Sequence, residues 1–189
     1  MSIHSAGVAP ERVCDDRIVI DDVPADDDES TRPVESIPAV GLGAPAGEPY
    51  DWFRRGTELL QQGNAAAAAE LLSWASRAEP GALSIREALA RAFYDSRRFE
   101  DSAREFRAIT QAAPDDDYAH FGLGLSLWRM RQFPMAAEHL AVAAAMRPDR
   151  EAYGRALRQV RATLSAREDA GLPAIGSPDE SAEFPPAAS

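Results

Sequence analysis

The residues able to do chemistry are few and scattered. The chain of 189 residues has one cysteine, Cys14, and three histidines, His4, His120 and His139. That inventory makes neither a disulfide framework nor a four-ligand zinc site. Asp15 and Asp16 beside Cys14 raise a thiol's pKa, which works against nucleophilic use. Neither His120 nor His139 has a Cys or a carboxylate at ligand spacing. Gly41, Gly43 and Gly47 are spaced like glycines that cradle a phosphate, but they follow no strand, open no helix and surround Pro45, so they read as linker. Asp115, Asp116 and Asp117 follow Pro114 at a helix start, where carboxylates cap the chain and meet the helix dipole. The expectation is a non-enzyme without metal or cofactor.

Charge and aromatic content divide the chain into parts. The formal charge is −11, and all 20 basic residues are Arg. Residues 1–48 carry −8, residues 49–170 are balanced with 17 acids against 17 Arg, and 171–189 carry −3. An acidic chain argues against general nucleic-acid binding. Thirteen of 14 aromatics lie between Tyr50 and Tyr153. Burying the large aliphatics of 1–48 yields roughly 1.5–3 kcal/mol each, whereas ordering each residue costs about 1–2 kcal/mol. The expectation is therefore an acidic, disordered N-terminal tail over 1–48, a folded unit over 49–170, and a disordered tail over 171–189. The apolar runs fall short of the ~20 residues of a membrane span, and the first residues show neither a positive n-region nor an apolar h-region. We expect a cytoplasmic protein, and alanine-rich, Lys-free composition suggests a bacterial source.

The elements that position these residues recur. Pro80, Pro114 and Pro148 stand 34 residues apart, and each closes an alanine-rich segment. Within each unit the apolar residues run at helical spacing in two stretches of about 12–14 residues. The turns between them are Gln62-Gly63-Asn64, Ser96-Arg97-Arg98 and Arg131-Gln132. Gly56, Ala90 and Gly124 keep the same register and let paired helices approach closely. The prolines stop each second helix.

Trp52, Gly56, Leu59 and Ala68 before Pro80, Leu89, Phe93 and Phe99 before Pro114, and Gly124, Leu127, Phe133 and Ala136 before Pro148 resemble the tetratricopeptide repeat (TPR) family, whose unit runs W-x2-L-G-x2-Y, A-x3-F, P over about 34 residues. Arg55 departs from the usual Leu, Arg86 and His120 from the Trp, and Ser102 from the Ala. The resemblance implies an all-α, helical-hairpin superhelix of about seven helices, with repeats near 49–82, 83–116 and 117–150. It also makes His120 a packing residue. A capping helix over 150–169 offers Tyr153, Ala156, Leu157, Val160 and Leu164 to the last repeat and Arg155, Arg158 and Arg161 to water.

In that family the first helix of each pair lines a concave groove that holds a peptide or helix. The matching face here offers Phe53, Arg54, Thr57, Leu60 and Gln61, then Glu87, Arg91, Tyr94 and Asp95, then Tyr118, Phe121, Leu125, Trp128 and Arg129. From these we expect a partner site of Phe53, Arg54, Arg91, Tyr94, Tyr118, Phe121, Leu125, Trp128 and Arg129, because aromatics with interspersed Arg are the composition of binding hot spots. The opposing expectation is that Phe121 and Trp128 pack between neighbouring first helices. The family's two-carboxylate clamp for chaperone tails matches Phe53, Thr57, Ala88, Tyr118 and Gly122 here, none of them a clamp residue, so a more apolar ligand is expected. Ile18, Ile20 and Val23, flanked by acids, form a stretch suited to occupy the groove in cis. The function expected is a protein- or peptide-binding scaffold, without nucleic acid or membrane. The alternatives are a small TPR chaperone of a secreted client, or a regulator acting through its acidic tail.

Overall fold

The computed structural model describes residues 45–176, which form seven helices and no strand. They are α1 Pro49–Gln61, α2 Ala65–Ala78, α3 Leu83–Asp95, α4 Phe99–Ala112, α5 Asp117–Arg129, α6 Phe133–Met146 and α7 Glu151–Asp169. None is long and apolar enough to cross a membrane. Residues 1–44 and 177–189, most of the two segments expected to be tails, lie outside the described residues.

The sequence period becomes a structural period at three levels. Each hairpin closes on a glycine or alanine set against a large side chain 16 positions later. A Cβ on Gly56 would sit 2.6 Å from Cγ of Leu72, and one on Gly124 would sit 2.7 Å from Cγ of Leu140. Ala90 and Phe106, both fully buried, hold the same register in the middle hairpin. At the junctions between repeats, the amides of Ala82, Asp116 and Arg150 donate to the carbonyls of Glu79, Ala113 and Arg147 at 3.0–3.1 Å. The prolines thus sit in identical turns.

The turns inside the hairpins are also alike. Gly63, Arg97 and Arg131 each donate to a carbonyl three residues back, and the following residue donates five back, at 2.8–3.0 Å. Gly171 and Leu172 repeat the pattern after α7. This pair of bonds satisfies the last carbonyls of a helix and requires a left-handed residue, usually glycine. Gly63 (φ 80°) and Gly171 (φ 68°) meet it without strain, whereas Arg97 (φ 61°) and Arg131 (φ 57°) carry a Cβ there.

Sequential helices pack as antiparallel neighbours, and the odd helices also touch one another, α1 with α3, α3 with α5 and α5 with α7. The odd helices therefore form a closer layer, and the stack curves toward it. One core runs from α3 to α7 through Phe106, Leu123, Leu127, Leu140, Tyr153 and Val160. Smaller clusters join α1, α2 and α3 around Leu72 and around Trp52 with Ala75 and Ile85. On α7 the face of Tyr153, Ala156 and Val160 is buried and Arg155, Arg158 and Arg161 are exposed, as a terminal helix requires. Residues 171–176, placed by sequence in the C-terminal tail, run back against the fold. Arg167 Nε donates to the Pro173 carbonyl at 2.8 Å, and the Gly176 amide donates to the Arg131 carbonyl at 3.1 Å.

Candidate functional site

The concave layer is built by α1, α3 and α5, whose equivalent faces carry the residues singled out by sequence. On α1, Phe53 is half-buried against the two smaller clusters, and exposed Arg54 stands 3.9 Å from Glu58 one turn on. On α3, Arg91 and Tyr94 are half-buried. Tyr94 packs edge-on to Phe99, with ring centroids 5.5 Å apart. On α5, half-buried Trp128 packs on the main core, and the Arg129 guanidinium lies 5.4 Å over the Phe99 ring. Tyr94, Phe99 and Arg129 thus form one aromatic–cation stack across α3, α4 and α5, an arrangement that favours the charged guanidinium in contact with ring faces.

Two of the expected groove residues are core residues instead. Phe121 is 3% exposed and stacks on Tyr153 of α7, with centroids 4.4 Å apart; Leu125 is 4% exposed. The terminal helix covers what would have been a second apolar stripe on α5. Its Tyr153 also donates a hydrogen bond from its hydroxyl to Asp117 Oδ2 at 2.9 Å. Phe121 and Leu125 therefore leave the candidate site, while Trp128 keeps a partly open face.

Tyr118 is intermediate. Its ring meets Phe106 edge-on, with centroids 6.1 Å apart. Its hydroxyl is the one buried side-chain N or O atom among the described residues with no hydrogen-bond partner. Burial pushes that hydroxyl's pKa up, nearby Arg91 works against the rise, and Glu87 and Asp95 add to it. The hydroxyl stays protonated at any physiological pH. Arg91, Tyr94, Trp128 and Arg129, with Phe53 and Arg54 at the far end, remain as the accessible composition of the groove.

Sequence reasoning missed a slot that the repeat period reveals. Trp52 Nε1 donates to the Ala46 carbonyl at 3.3 Å, Arg86 to that of Pro80 at 3.2 Å, and His120 Nε2 meets that of Pro114 at 3.2 Å. Arg and His thus keep the donor that Trp supplies in the first repeat. The facing residue on the second helix of the pair changes in step. Leu71 belongs to the Trp52 cluster; Glu105 pairs with Arg86 at 2.5 Å; His139 Nδ1 lies 3.1 Å from His120 Nδ1. A carbonyl can only accept, so His120 carries its proton on Nε2 and its Nδ1 accepts from His139 Nδ1–H. The two histidines that sequence left isolated are therefore directly bonded. Asp116 caps α5, accepting from the Ala119 amide at 3.0 Å, as the sequence suggested for one of that acidic triplet. No group of three or more His, Cys, Asp or Glu among the described residues could hold a metal.

The family model described as the tetratricopeptide repeat matches this chain over residues 53–117 and again over 87–151. The chain belongs to the tetratricopeptide repeat family. No curated protein sequence matches it significantly. Among solved structures, TPR-type folds align along most of the described residues. MamA (residues 41 to the end) from Desulfovibrio magneticus RS-1 is 18% identical with a TM-score of 0.61, over 66% of this chain and 70% of that one. The Sgt2 TPR domain from Aspergillus fumigatus is 19% identical with a TM-score of 0.60, over 76% and 95%. The first TPR of Spaghetti (RPAP3), bound to the HSP90 peptide SRMEEVD, is 14% identical with a TM-score of 0.59, over 66% and 99%. At these identities the likeness establishes the TPR fold, and the site must be argued from this chain's own residues.

Proposed function

We propose that this TPR protein is a non-catalytic, cytoplasmic scaffold or adaptor that binds a peptide or helix of a partner protein along its concave face. The observation that carries the reading is the run of half-buried aromatics with adjacent guanidinium groups on successive concave helices: Arg91 and Tyr94 on α3, Trp128 and Arg129 on α5. Rings of this kind contribute large contact area at small entropic cost, and Arg adds direction through hydrogen bonds to carboxylates or carbonyls. The ligand best suited to it has apolar or aromatic anchors and an acidic residue for Arg91 or Arg129.

The solved TPR bound to the HSP90 peptide SRMEEVD supplies the mode and a useful contrast. Here the clamp positions are Phe53, Thr57, Ala88, Tyr118 and Gly122, which offer no cationic pair for a terminal carboxylate. Selection of peptides from a random displayed library against the full chain tests the reading. Enriched sequences should combine an apolar anchor with an acid, at affinities near micromolar, about −8 kcal/mol. Trp128→Ala and Arg129→Ala should each weaken binding about tenfold or more, the ~1.4 kcal/mol expected of a hot-spot contact, without loss of helicity. SRMEEVD itself should not bind. Selected peptides that bind both variants as tightly as the parent would remove the concave face as the site. Ile18, Ile20 and Val23, the segment proposed to compete for the groove in cis, lie outside the described residues; a chain lacking 1–44 should bind the selected peptides more tightly if they do compete.

A further inference from the structure

The hydroxyl of Tyr118 is a polar group that the fold buries without completing. Each repeat puts a hydroxyl-bearing residue at this register of its first helix: Tyr50, Ser84 and Tyr118. Tyr50 is 71% exposed and Ser84 is exposed, so water can satisfy both. In the third repeat the ring turns onto Phe106, and its hydroxyl is shut from water with no hydrogen-bond partner. A phenol donates one hydrogen bond and can accept others, and leaving such a group buried and unpaired is unfavourable. Burial holds the phenol in its protonated form, so the donor is retained.

The charged groups around this hydroxyl belong to α3. Glu87, Arg91 and Asp95 are spaced four apart, which sets them on one face of the helix. All three act electrostatically on Tyr118 from the neighbouring first helix. Glu87 and Asp95 have interactions of their own, but a carboxylate accepts at several lone pairs, whereas a guanidinium only donates. The surroundings are therefore mixed, with donors on Tyr118 and Arg91 and acceptors on Glu87 and Asp95. Two carboxylates against one guanidinium disfavour an anion here, and the guanidinium disfavours a cation beside it. A neutral group that carries a donor and an acceptor side by side meets both sets. The carboxamide is that group.

We propose that Tyr118 and Arg91 seat a carboxamide of the bound partner. Its oxygen accepts from the Tyr118 hydroxyl and the Arg91 guanidinium, and its N–H donates to Glu87 or Asp95. The group is the side chain of an Asn or Gln, or one peptide unit of an extended segment. A helix offers only the side chain, because its main-chain amides are already bonded to one another. Arg91 is half-buried and long, and it swings aside to admit the incoming group to a hydroxyl shut from water. The inference rests on the concave-face reading, and at Arg91 it replaces the acidic residue of that reading with a neutral group.

Peptides selected on the full chain are the probes, titrated against the parent and against Tyr118→Phe. That substitution keeps the ring against Phe106 and removes the hydroxyl alone. Its denaturation midpoint should equal or exceed the parent's, because an unpaired buried group is lost. Its affinity for the selected peptides should fall about tenfold. The deficit should vanish when one Asn or Gln of the peptide is changed to Ala, which assigns a side-chain source. If no side chain matters, it should shrink when one peptide bond is replaced by an ester, which assigns the main chain. A Tyr118→Phe chain that binds every selected peptide as the parent does would overturn the seat. If Trp128→Ala still weakens those peptides, the concave-face reading survives; indifference to Trp128→Ala as well removes both. A lowered midpoint in Tyr118→Phe would show the hydroxyl already paired in the free chain. A deficit tied to an Asp or Glu of the peptide would make the ligand a carboxylate. Either result overturns the proposal.

Discussion

Two polar pairs, one buried and one half-buried, show how single residues are fitted to the repeat. Ser102 and Ser126 are fully buried with their hydroxyls 2.9 Å apart, and Ser126 Oγ also reaches the Gly122 carbonyl at 2.8 Å. Ser102 stands where the first and third repeats have Ala68 and Ala136. The departure from alanine is therefore answered by a second hydroxyl on the next hairpin. Ser126→Ala should cost about 1–3 kcal/mol by orphaning Ser102, whereas Ser102→Ala with Ser126→Ala should be nearly neutral. Denaturant melts of the two variants separate a hydrogen bond from a packing effect.

The histidine pair gives the chain a pH-dependent term. His139 is shifted down, first by burial, then by His120 and Arg107, with Glu138 opposing. A histidine whose folded pKa lies below its unfolded value of about 6.5 favours the fold when neutral. That contribution is in place above pH ~6.5 and is lost as the pH falls below it. A doubly protonated pair would also set two N–H groups head to head across the bond that now joins them. His120→Arg with His139→Glu transplants the Arg86–Glu105 pair of the middle repeat into the same slot. The melting temperature of that variant should fall less steeply than the parent's between pH ~6.5 and ~5; parallel curves would show that the pair contributes nothing.

At the scale of elements, close approach is what the glycines supply. A Cβ on Gly122 would lie 2.4 Å from Cζ of Phe106, a fully buried ring of the preceding hairpin. Gly122→Ala should destabilise the chain by about 1–3 kcal/mol, the range for overpacking a filled core, read as a lower denaturation midpoint. The turns invite the opposite change. Arg97→Gly relieves a left-handed Cβ at a cost in unfolded-chain entropy, and should stabilise by up to about 1 kcal/mol. A midpoint unchanged or lowered would mean that the Arg97 side chain supports the fold directly.

Much of this level was legible beforehand. The 34-residue register of Pro80, Pro114 and Pro148 fixed hairpin length and turn position, because a helix pair can repeat only if every unit closes with the same number of residues. The partners of Arg86, His120 and Ser102 were not legible from any one unit. Each lies on a different helix, and a departure from the repeat can be read as compensated only when the facing helix is known. Aligning the three units on both helices at once would have brought His120 and His139 together.

For the whole molecule, the terminal helix decides where the groove ends. Tyr153 stacks on Phe121, so the accessible face of α5 narrows to Trp128 and Arg129 with Tyr118 half-covered. That is why binding should respond to Trp128→Ala and Arg129→Ala, whereas Phe121→Ala should act on stability, costing about 3–5 kcal/mol as a truncated core aromatic. Thermal melts beside peptide titrations of the three variants distinguish the two kinds of residue.

By itself the sequence determined the number of helices, their pairing, the turns and the TPR family, because these depend on local spacing repeated three times. It determined the segregation of charge as well, −8 and −3 at the ends around a balanced middle. Only the tertiary structure decided which aromatics keep a partly open face, such as Tyr94 and Trp128, and which are covered by α7, such as Phe121. A stripe on one helix records that a face is apolar, and what covers it is set by a helix that packs against it from elsewhere in the chain. The same holds for the return of the chain after α7: Arg131 and Gly176 are 45 residues apart in sequence, and only the packing of α7 brings the Gly176 amide to the Arg131 carbonyl.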